Sequence, residues 1–575
     1  MFRYALRSVL RQQPREFGAA PVLLRFQLRH HPRRNFRSLS NSSGLPTIDE
    51  APFINNDTIY ALSSGSGRAG IAVIRISGPD CLNVYRGLCP NKAVPKPRFA
   101  AVRTLFEPGQ TDASGVNVVD SGALVLYFPG PKTVTGEDVL ELHVHGGPAT
   151  VRAALSAIRK CSSSGKIRYA EPGEFTKRAF YNGRLDLAQV ESLGDTLAAQ
   201  TEQQRRVAVR GNSGVLGKTY DSWREQLLLA RGEIEALIDF SEDQHFDESP
   251  TELLANVTRL IEDILRQIKL HKLGSQRSEL LRSGIRIALL GPPNAGKSSL
   301  MNLIVGREAS IVSSEAGTTR DIVEASLDIR GYLCSFADTA GIRAKTSESV
   351  GQHGGTSAPP IGAIEEEGIR RARRKALESD IIIALASVEA TEFGTARISY
   401  DPETLRLAAG AKRCLVAVNK TDVISPELLE RLIQDFKSSA LGDVDGLRDV
   451  EPLTISCKAA ASPSAAELTD AGGIHALTEA LSRLFFDLTS LPDDMQHLLG
   501  VTERQSQLLS ECEGHLRDFM AEAENSETGD EPDVVLAAEH LRLAALRLAS
   551  ITGRGEFGDV EEVLGVIFEK FCVGK

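Results

Sequence analysis

The stretch IRIALLGPPNAGKS at residues 285–298 joins a mostly apolar run to the pattern GxxxxGK[ST]. Glycines in this pattern let backbone N–H groups close around phosphate oxygens, and a helix is expected to open near Ser299. Lys297 would reach the β- and γ-phosphates of a nucleotide, and Ser298 would bind Mg²⁺. The stretch therefore predicts a strand, a phosphate-binding loop and a helix, the start of a doubly wound α/β domain.

Two further motifs follow in the order that a guanine-nucleotide domain requires. The sequence DTAG at residues 338–341 follows an apolar run, so that Asp338 would hold the magnesium shell and the Gly341 N–H would contact the γ-phosphate. The sequence NKTD at residues 419–422 follows another, and the Asp422 carboxylate can accept hydrogen bonds from the two N–H edges of guanine. Adenine would leave that acceptor unpaired, at a cost of about 1–3 kcal/mol.

The sequence SCK at residues 456–458 would supply backbone groups for the guanine carbonyl. The motifs together predict a GTP site, with an ATP-binding loop as the alternative. The predicted GTP-binding residues are Asn294, Ala295, Gly296, Lys297, Ser298, Ser299, Ser313, Thr318, Thr319, Asp338, Thr339, Ala340, Gly341, Asn419, Lys420, Asp422, Ser456, Cys457 and Lys458.

The segment between the first two motifs bears on hydrolysis. Thr319 is the candidate second Mg²⁺ ligand, ordered only when a γ-phosphate is present. Ile342 stands where Ras-like enzymes carry a glutamine that orients the attacking water, and isoleucine cannot hydrogen-bond water. Another group must do so. Asn294 and backbone oxygens of residues 313–318 could bind a monovalent cation where an arginine finger would otherwise place its charge; alternatively, Asn294 only caps its loop.

The first forty residues differ from the rest of the chain. They contain nine arginines, one acidic residue and no lysine, and several arginines recur at helical spacing before a serine-rich stretch. This pattern predicts a mitochondrial transit peptide over residues 1–48, and so a mitochondrial matrix location, with a disordered basic tail as the alternative. Beyond residue 40 the chain has 57 basic and 75 acidic residues, a net charge of −18. Such a charge argues against RNA binding through bulk electrostatics.

Composition and periodicity divide the chain into domains. Eight scattered cysteines without CxxC spacing suggest neither a disulfide framework nor a zinc–cysteine site. No apolar run is long enough to predict a membrane span. The predicted domains are α+β at residues 53–171, helical at 172–281, α/β at 282–490 and helical at 491–575. The simplest interpretation is one helical domain interrupted by an inserted α/β domain, and two separate helical domains are the alternative. Residues 346–363 and 437–450 are polar and glycine-rich, which predicts loops.

The ordered motifs resemble those of the tRNA-modification GTPases of the MnmE/TrmE type, over about residues 54–575. Besides the GTPase motifs, the resemblance rests on NDTI (56–59), IRISG (74–78), FPGP (128–131), TGED (135–138), HGGP (145–148), EPGEFT (171–176), LDLAQ (185–189) and FCVGK (571–575). It implies a multidomain α/β and α+β protein of mitochondria: an N-terminal α+β folate-binding-like domain that dimerises, a helical domain, and an inserted Ras-like P-loop G domain.

The resemblance also implies a reaction and partners. A homodimer would act with a separate FAD-dependent protein of the MnmG/GidA type. Together they would install an aminomethyl-type group, carboxymethylaminomethyl or taurinomethyl, on the wobble uridine of tRNA, with 5-formyl- or methylene-tetrahydrofolate as the one-carbon donor. Potassium-stimulated dimerisation of the G domains would drive GTP hydrolysis. The implied potassium ligands are Asn294, Ser313, Glu315 and Thr318.

Further site residues follow from the resemblance. The folate contacts are Arg75, Glu141, Arg184, which replaces a lysine of the family, and Lys575. The implied catalytic residues are Lys297, Cys572 and a glutamate that orients water. Alignment on the helix after residue 367 selects Glu365 for that role, and distance from the DTAG motif selects Glu348 or a residue next to it. Cys572 would have a part in the modification chemistry, or be a small apolar residue of the tail.

Two other interpretations remain open. A ribosome-assembly GTPase would bind rRNA without modification chemistry, and a folate-binding module could use its G domain only for regulation. His143 and His145 alternate on one predicted strand and share a face. A structural role is favoured over a metal site, because no third ligand is evident.

Overall fold

A computed structural model of the chain describes residues 57–109, 117–161, 166–240, 250–311, 326–337, 374, 376–390, 395–462, 470, 472–525, 533–554, 565 and 574. Several predicted features lie outside these residues: the transit peptide, the switch segment 312–325, the DTAG motif, the loop 346–363, both candidate glutamates, Cys572 and Lys575. No helix within the described ranges combines the length and the apolar character that a membrane crossing requires.

The N-terminal part folds as a six-stranded sheet with two helices on one face. The strand order is β3-β4-β5-β2-β1-β6, and every pair is antiparallel except β1 with β6. Alternation in β2 and β5 buries Ile74 and Leu142 against the helices and turns Arg75 and Glu141 to the other face. The bounds are β1 Thr58–Leu62, β2 Ile71–Ser77, α1 Cys81–Leu88, β3 Ala101–Phe106, β4 Val118–Phe128, β5 Val139–His145, α2 Pro148–Lys160 and β6 Ile167–Tyr169.

An ion-pair network ties this sheet to the next helix, α3 Glu174–Tyr181. Arg178 contacts Asp57 Oδ1 at 2.7 Å and Glu137 Oε1 at 3.0 Å, and its side chain is 11% exposed. Burial alone would raise the pKa of Glu174, but hydrogen bonds and charge from Arg168 and Arg178 hold that pKa below its usual value. Asp57, Glu137 and Glu174 belong to the NDTI, TGED and EPGEFT motifs, respectively. The ion-pair network is therefore a structural reason for one acidic residue in each motif.

Four helices follow α3 and precede the second sheet. α4 and α5 each begin with a capping box, Asp186 with Gln189 and Thr201 with Gln204, which satisfies backbone N–H groups at the helix start. The LDLAQ motif therefore marks a helix N-terminus. The bounds are α4 Leu187–Ala198, α5 Glu202–Gly211, α6 Val215–Phe240 and α7 Pro250–Ser283.

The second sheet and the helices that connect its strands form the predicted α/β domain. Its order is β14-β13-β11-β7-β10-β9-β8, with β12 beside β11. Strands β10, β7, β11, β13 and β14 are parallel, so that their carboxyl ends meet at one edge, where ligands bind in such folds. The bounds are β7 Ile285–Leu290, α8 Lys297–Leu303, β8 Ala309–Ile311, β9 Ser326–Ile329, β10 Tyr332–Ala337, β11 Ile381–Ala390, β12 Ala396–Ser399, α9 Pro402–Ala409, β13 Arg413–Asn419, α10 Pro426–Phe436, β14 Leu453–Thr454, α11 Cys457–Ala461 and α12 Ile474–Thr489.

The segment 437–450 differs from the loop that its composition predicts. It begins with a π-helical turn, Lys437–Leu441, that continues α10. Leu441 and Leu447 are fully buried in the core on one face of the sheet. The residues between these two leucines are mostly polar, so composition predicts an exposed loop. Two isolated buried leucines produce no hydrophobic periodicity that would have indicated the burial.

The helices on both sides of the α/β unit pack against each other. After a 3₁₀ segment, Asp493–Gly500, the chain forms α13 Glu503–Asn525 and α14 Val534–Thr552. α14 packs on α6 and α13, and α13 packs on α7. Arg504 of α13 forms an ion pair with Glu191 of α4, which connects the helices after the α/β unit to those before it. This is the arrangement expected of a helical layer interrupted by an inserted α/β unit.

Candidate functional site

The phosphate loop connects β7 to α8 through two crowded glycines. A Cβ atom on Gly291 would lie 2.2 Å from the Leu385 carbonyl oxygen, and one on Gly296 would lie 2.2 Å from Asn419 Nδ2. Gly296 also has a φ of +100°, in the left-handed region. Only glycine fits here, so the loop backbone lies directly against β11 and β13. The Lys297 ammonium donates to the carbonyl oxygens of Gly291 at 2.8 Å and Pro292 at 2.9 Å, which holds its charge over the loop.

Asn419 joins three segments at the other end of this site. Its side chain is buried, and Nδ2 donates to the Ala295 carbonyl oxygen at 2.8 Å. Its Oδ1 accepts from the Cys457 N–H at 3.1 Å. The amide therefore fixes the phosphate loop, the end of β13 and the start of α11 relative to one another.

Asp422 lies beside this junction and is oriented by a serine. The Ser456 hydroxyl donates to Asp422 Oδ1 at 2.5 Å and accepts from the Ala459 N–H at 3.1 Å, so it also caps α11. The Ser456 N–H donates to the Gly472 carbonyl oxygen, and that of Cys457 donates to Asn419. Two of the backbone donors predicted for a guanine carbonyl are thus used by the protein itself. Burial raises the pKa of the Cys457 thiol, which keeps it neutral.

Residues of the phosphate loop, of the chain at the end of β13 and of α11 line one cavity of about 640 Å³, within the size range of small-ligand sites. Eight of its residues belong to the predicted GTP site: Asn294, Gly296, Ser299, Asn419, Lys420, Asp422, Cys457 and Lys458. Asn302, Leu303, Val423 and Ala461 also line it and were not predicted. Asn302 lies one helical turn after Ser299, a spacing that would have indicated it.

Only some of the predicted metal-binding and catalytic residues lie in the described ranges. Ser298 is exposed in the first turn of α8, and Asn294 is exposed with a φ of +61°. Among the described residues, Ser298 represents the predicted Mg²⁺ ligands and Asn294 represents the predicted K⁺ ligands. Lys297 is described. The residues outside the described ranges are Ser313, Glu315, Thr318, Thr319, Asp338, Thr339, Ala340, Gly341, Glu348, Glu365, Cys572 and Lys575.

A second cavity of about 500 Å³ brings together three of the four predicted folate residues, Arg75, Glu141 and Arg184. Arg75 and Glu141 are cross-strand partners in β2 and β5, and Arg75 Nε donates to Glu141 Oε1 at 3.0 Å. Arg184 Nε donates to the Thr133 carbonyl oxygen at 2.9 Å. The Arg75 guanidinium also lies 6.0 Å from the centre of the Phe175 ring. A carboxylate, cations and aromatic rings therefore face the same space.

Two further cations in this cavity were not predicted. Arg98 and Lys132 line it, and Arg98 NH2 donates to the Lys132 carbonyl oxygen at 2.5 Å. Arg98 has a φ of +66° and lies 5.8 Å from the Phe128 ring centre. The excess of cations over the Glu141 carboxylate favours an anionic ligand. Arg98 follows an aperiodic stretch before β3, so no sequence signal marked it.

The C-terminal tail contacts the same sheet. The Ser63 hydroxyl, just after β1, donates to the Gly574 carbonyl oxygen at 2.9 Å. Gly574 has a φ of +95°, and a Cβ atom there would lie 2.1 Å from the Leu62 carbonyl oxygen. The close approach requires glycine at this position of the FCVGK motif. Cys572 and Lys575 are its near neighbours in the chain.

The two histidines of β5 have different surroundings. His145 Nδ1 lies 3.0 Å from the buried carboxylate of Asp120, which also accepts from the His145 N–H at 2.8 Å. His143 Nε2 lies 3.6 Å from Glu141 Oε2. The Asp120 contacts give His145 a role in holding β5 beside β4.

The family described as GTP-binding protein TrmE N-terminus matches residues 58–184, and the MnmE helical domain family matches residues 187–572. The mitochondrial 5-taurinomethyluridine-[tRNA] synthase subunit GTPB3 of Danio rerio is 38% identical over 90% of this chain and 93% of that protein. The tRNA modification GTPase MnmE of Parvibaculum lavamentivorans is 39% identical over 90% of this chain and 100% of that protein. The mitochondrial tRNA modification GTPase mss1 of Schizosaccharomyces pombe is 37% identical over 90% and 95%.

Proposed function

Since this chain belongs to the MnmE/TrmE family of tRNA-modification GTPases, we propose that it is the GTP-hydrolysing subunit of a mitochondrial complex that modifies the wobble uridine of tRNA. The observation that carries the proposal is the presence of two different cavities in one chain. One has the phosphate loop and the Asp422 carboxylate, and the other has the Arg75–Glu141 pair. A GTPase that only assembles ribosomes has no use for the second.

The residues of the first cavity fit GTP. Gly291 and Gly296 leave no room for a side chain between the loop and the sheet, which lets backbone N–H groups approach phosphate oxygens. Ser456 orients the Asp422 carboxylate for the N–H edges of guanine. Ser298, with Thr319 and Asp338, would hold Mg²⁺, which supplies neutralising charge at the phosphates when bound. Asn294, Ser313, Glu315 and Thr318 would hold K⁺, and Glu365 would orient water.

The residues of the second cavity fit a tetrahydrofolate derivative. Glu141 can accept from the aminopyrimidine N–H groups of a pterin, and Arg75 and Arg184 can pair with the carboxylates of its tail. The bound 5-formyl- or methylene-tetrahydrofolate would supply the one-carbon unit. Gly574 contacts the end of β1, the strand beside Arg75, and this contact supports a position near the cavity for Cys572 and Lys575.

The remaining features of the proposal concern partners. The complex would contain a homodimer of this chain, an FAD-dependent protein of the MnmG/GidA type and tRNA, in the mitochondrial matrix. Named mitochondrial relatives support the location, and the name of the GTPB3 relatives supports a taurinomethyl product, with carboxymethylaminomethyl as the other family product. Because the chain beyond residue 40 is acidic, tRNA would be held by a local basic patch.

GTP hydrolysis in K⁺ and in Na⁺ at equal ionic strength tests the cation part of the proposal. We expect a higher kcat in K⁺, and an Asn294→Ala variant that still binds GDP but has lost the difference. Asn256→Ala, an exposed change on α7, is the matched control and retains it. Equal rates of the unaltered protein in the two salts would contradict potassium activation.

Binding of 5-formyl-tetrahydrofolate tests the second cavity. We expect Glu141→Gln to weaken binding by at least about tenfold, because a charged hydrogen-bond acceptor is worth about 1.5–3 kcal/mol. Glu107→Gln, which only loses an ion pair with Lys160 at the sheet surface, serves as the control. Unchanged binding by Glu141→Gln would exclude the pterin role of this carboxylate.

Mass spectrometry of mitochondrial tRNA from a strain without this protein tests the biological role. We expect the modified wobble uridine to disappear and the unmodified nucleoside to accumulate. Intact tRNA nucleosides together with defective rRNA maturation would instead support the ribosome-assembly alternative.

A further inference from the structure

Two histidines and an aspartate meet between α13 and α14, far in the chain from the motifs of both cavities. His515 and Asp518 lie three residues apart on α13, so they share a face of that helix. His540 comes from α14. The candidate ligand atoms of the three side chains all lie within 4.8 Å of one another, and within the described ranges this is the one group of three His, Cys, Asp or Glu residues that are so close.

The backbone around these side chains is held by the core. Leu516, Phe519 and Leu541, the chain neighbours of the three residues, are each fully buried in the core that α13 and α14 share. The two helices pack along their length, so the relative positions of their Cα atoms are set by apolar contacts. The polar trio therefore lies at the rim of a rigid interface, where it needs only side-chain rotation to converge on one point.

His540 is left without a hydrogen bond in this arrangement. Its Nδ1 atom is buried and has no hydrogen-bond partner, and Asp518 Oδ2, at 4.0 Å, is too distant to accept one. The His515 and His540 rings are stacked, with centroids 6.5 Å apart and planes inclined by 30°. A buried polar atom without a partner costs about 1–3 kcal/mol. A bound cation would use the lone pair of that nitrogen and offset this cost.

We propose that His515, Asp518 and His540 form a binding site for a divalent transition-metal ion of the zinc type. Imidazole nitrogens and a carboxylate oxygen are the donor set that Zn²⁺ accepts, at bonds of about 2.0–2.2 Å. Ligand atoms on such an ion are about 3.3 Å apart, so separations of up to 4.8 Å must shorten by at most about 1.5 Å. With three protein ligands, the remaining positions belong to water. The metal would join α13 to α14 and so connect the two helices that end the chain.

The surrounding charges are compatible with a cation. Arg547 on α14 is a positive group that acts on His515, and its Nε lies 3.1 Å from Glu511 Oε2, so the Glu511 carboxylate offsets its charge. Asp518 is 61% exposed and its carboxylate remains able to turn towards the histidines. The three acidic and basic groups leave a net charge of −1 beside the two imidazoles.

Metal titration of the full-length chain tests this site. The protein is first treated with a chelator and then titrated, without nucleotide, with Zn²⁺ by calorimetry and with Co²⁺ by visible absorption. We expect one bound ion that gives the ligand-field bands of an imidazole-coordinated Co²⁺ and slows hydrogen exchange in α13 and α14. Asp518→Asn and His540→Gln each weaken this binding by at least about tenfold, in the range by which altered metal surroundings reduce affinity.

Matched controls make the result decisive. His475→Gln changes an exposed histidine of the G domain, keeps the trio and binds the ion as the unaltered chain does. Asp518 is exposed, so Asp518→Asn retains the fold, which circular dichroism checks. Absence of a bound ion, or the same affinity and Co²⁺ spectrum in Asp518→Asn and His540→Gln as in the unaltered chain, overturns the proposal. Neither result bears on the proposed GTPase function, because the trio contributes to neither cavity.

Discussion

Asn419 is the residue on which the geometry of the proposed GTP cavity most depends. Its one amide group accepts from α11 and donates to the phosphate loop, and it is also the atom group that excludes a side chain from Gly296. Because the Asn419 amide is buried and both its nitrogen and its oxygen form hydrogen bonds, it restrains the two segments that it contacts. The phosphate end and the base end of the cavity are therefore positioned as one unit.

Asp422→Asn tests the guanine contact at this scale. The amide would present an N–H group to the N–H edges of guanine, so we expect GDP affinity to fall by about tenfold to a hundredfold, equivalent to about 1.4–2.8 kcal/mol. Xanthosine diphosphate, which has a carbonyl at the same edge, should bind the variant better than GDP does. Fluorescence titration measures both. Asp445→Asn, at a 93% exposed carboxylate, should bind GDP normally, and normal GDP binding by Asp422→Asn would exclude the contact.

Gly296→Ala tests the close approach of the loop to β13. The new Cβ atom would overlap Asn419 Nδ2 at 2.2 Å and take up a left-handed φ, so we expect a loss of about 1–3 kcal/mol of stability and at least about tenfold of GDP affinity. Gly306→Ala is the control, because that position has open space and helical backbone, where alanine is neutral or stabilising. Denaturant unfolding and GDP titration distinguish them; equal behaviour of the two variants would contradict the steric argument.

At the scale of elements, α6 and α7 are joined around a buried histidine. His271 of α7 forms a 2.9 Å hydrogen bond with the Tyr220 hydroxyl of α6, and its ring lies 5.0 Å from the Trp223 ring. Burial, with a smaller contribution from His497, lowers the pKa of His271 from 6.5 to about 3. The imidazole is therefore neutral in the folded protein over the whole physiological range.

This histidine predicts acid sensitivity of the helical layer. Between pH 6.5 and about 3, His271 is protonated in the unfolded chain but not in the folded chain. The free energy of unfolding therefore falls as the pH falls, by about 2 kcal/mol at pH 5. His271→Gln should flatten the dependence on pH of the free energy of opening of α6 and α7 in that window, as measured by native-state hydrogen exchange. His475→Gln, at an exposed position, should leave the slope unchanged. A slope unaffected by His271→Gln would contradict the assignment.

In the molecule as a whole, arginines of α7 close the base of the inserted G domain, where its entering and leaving segments meet, and Arg277 donates there to the Ser490 carbonyl oxygen. Arg282, at the end of α7, donates to the carbonyl oxygens of Val501 at 2.7 Å and Gly500 at 3.0 Å, and to Asp195 of α4 at 2.8 Å. The chain enters the G domain just after Arg282 and has left it before Gly500. The buried residues of the sheet and those of the flanking helices belong to one apolar core, which includes Ile261 of α7 and Leu327 of β9. The G domain is thus held to the helices at its base and along one face.

Arg282→Met tests this closure. Loss of three charged hydrogen bonds should lower the free energy of local opening around residues 493–501 by about 2–4 kcal/mol. Native-state hydrogen exchange measures it directly, which avoids the assumption of two-state unfolding in a chain of several domains. Arg259→Met, at an exposed site on the same helix, should change exchange there by less than about 0.5 kcal/mol. Unchanged exchange in Arg282→Met would show that the Arg282 hydrogen bonds do not contribute to this closure.

The local features of this chain could be predicted from its amino acids, because these features depend on residues that are neighbours in the chain. The strand, loop and helix around residues 285–303, the helix periods and the order of the GTPase motifs follow from backbone geometry and alternating burial. The family resemblance added Arg75 and Glu141 as separate folate contacts, and the structure showed that they pair. The packing of distant segments alone shows which remote side chains meet: Arg98 at the second cavity, Cys457 with Asn419, and His540 with His515 and Asp518. Such meetings depend on strand register and helix packing across hundreds of residues, and no local pattern encodes them.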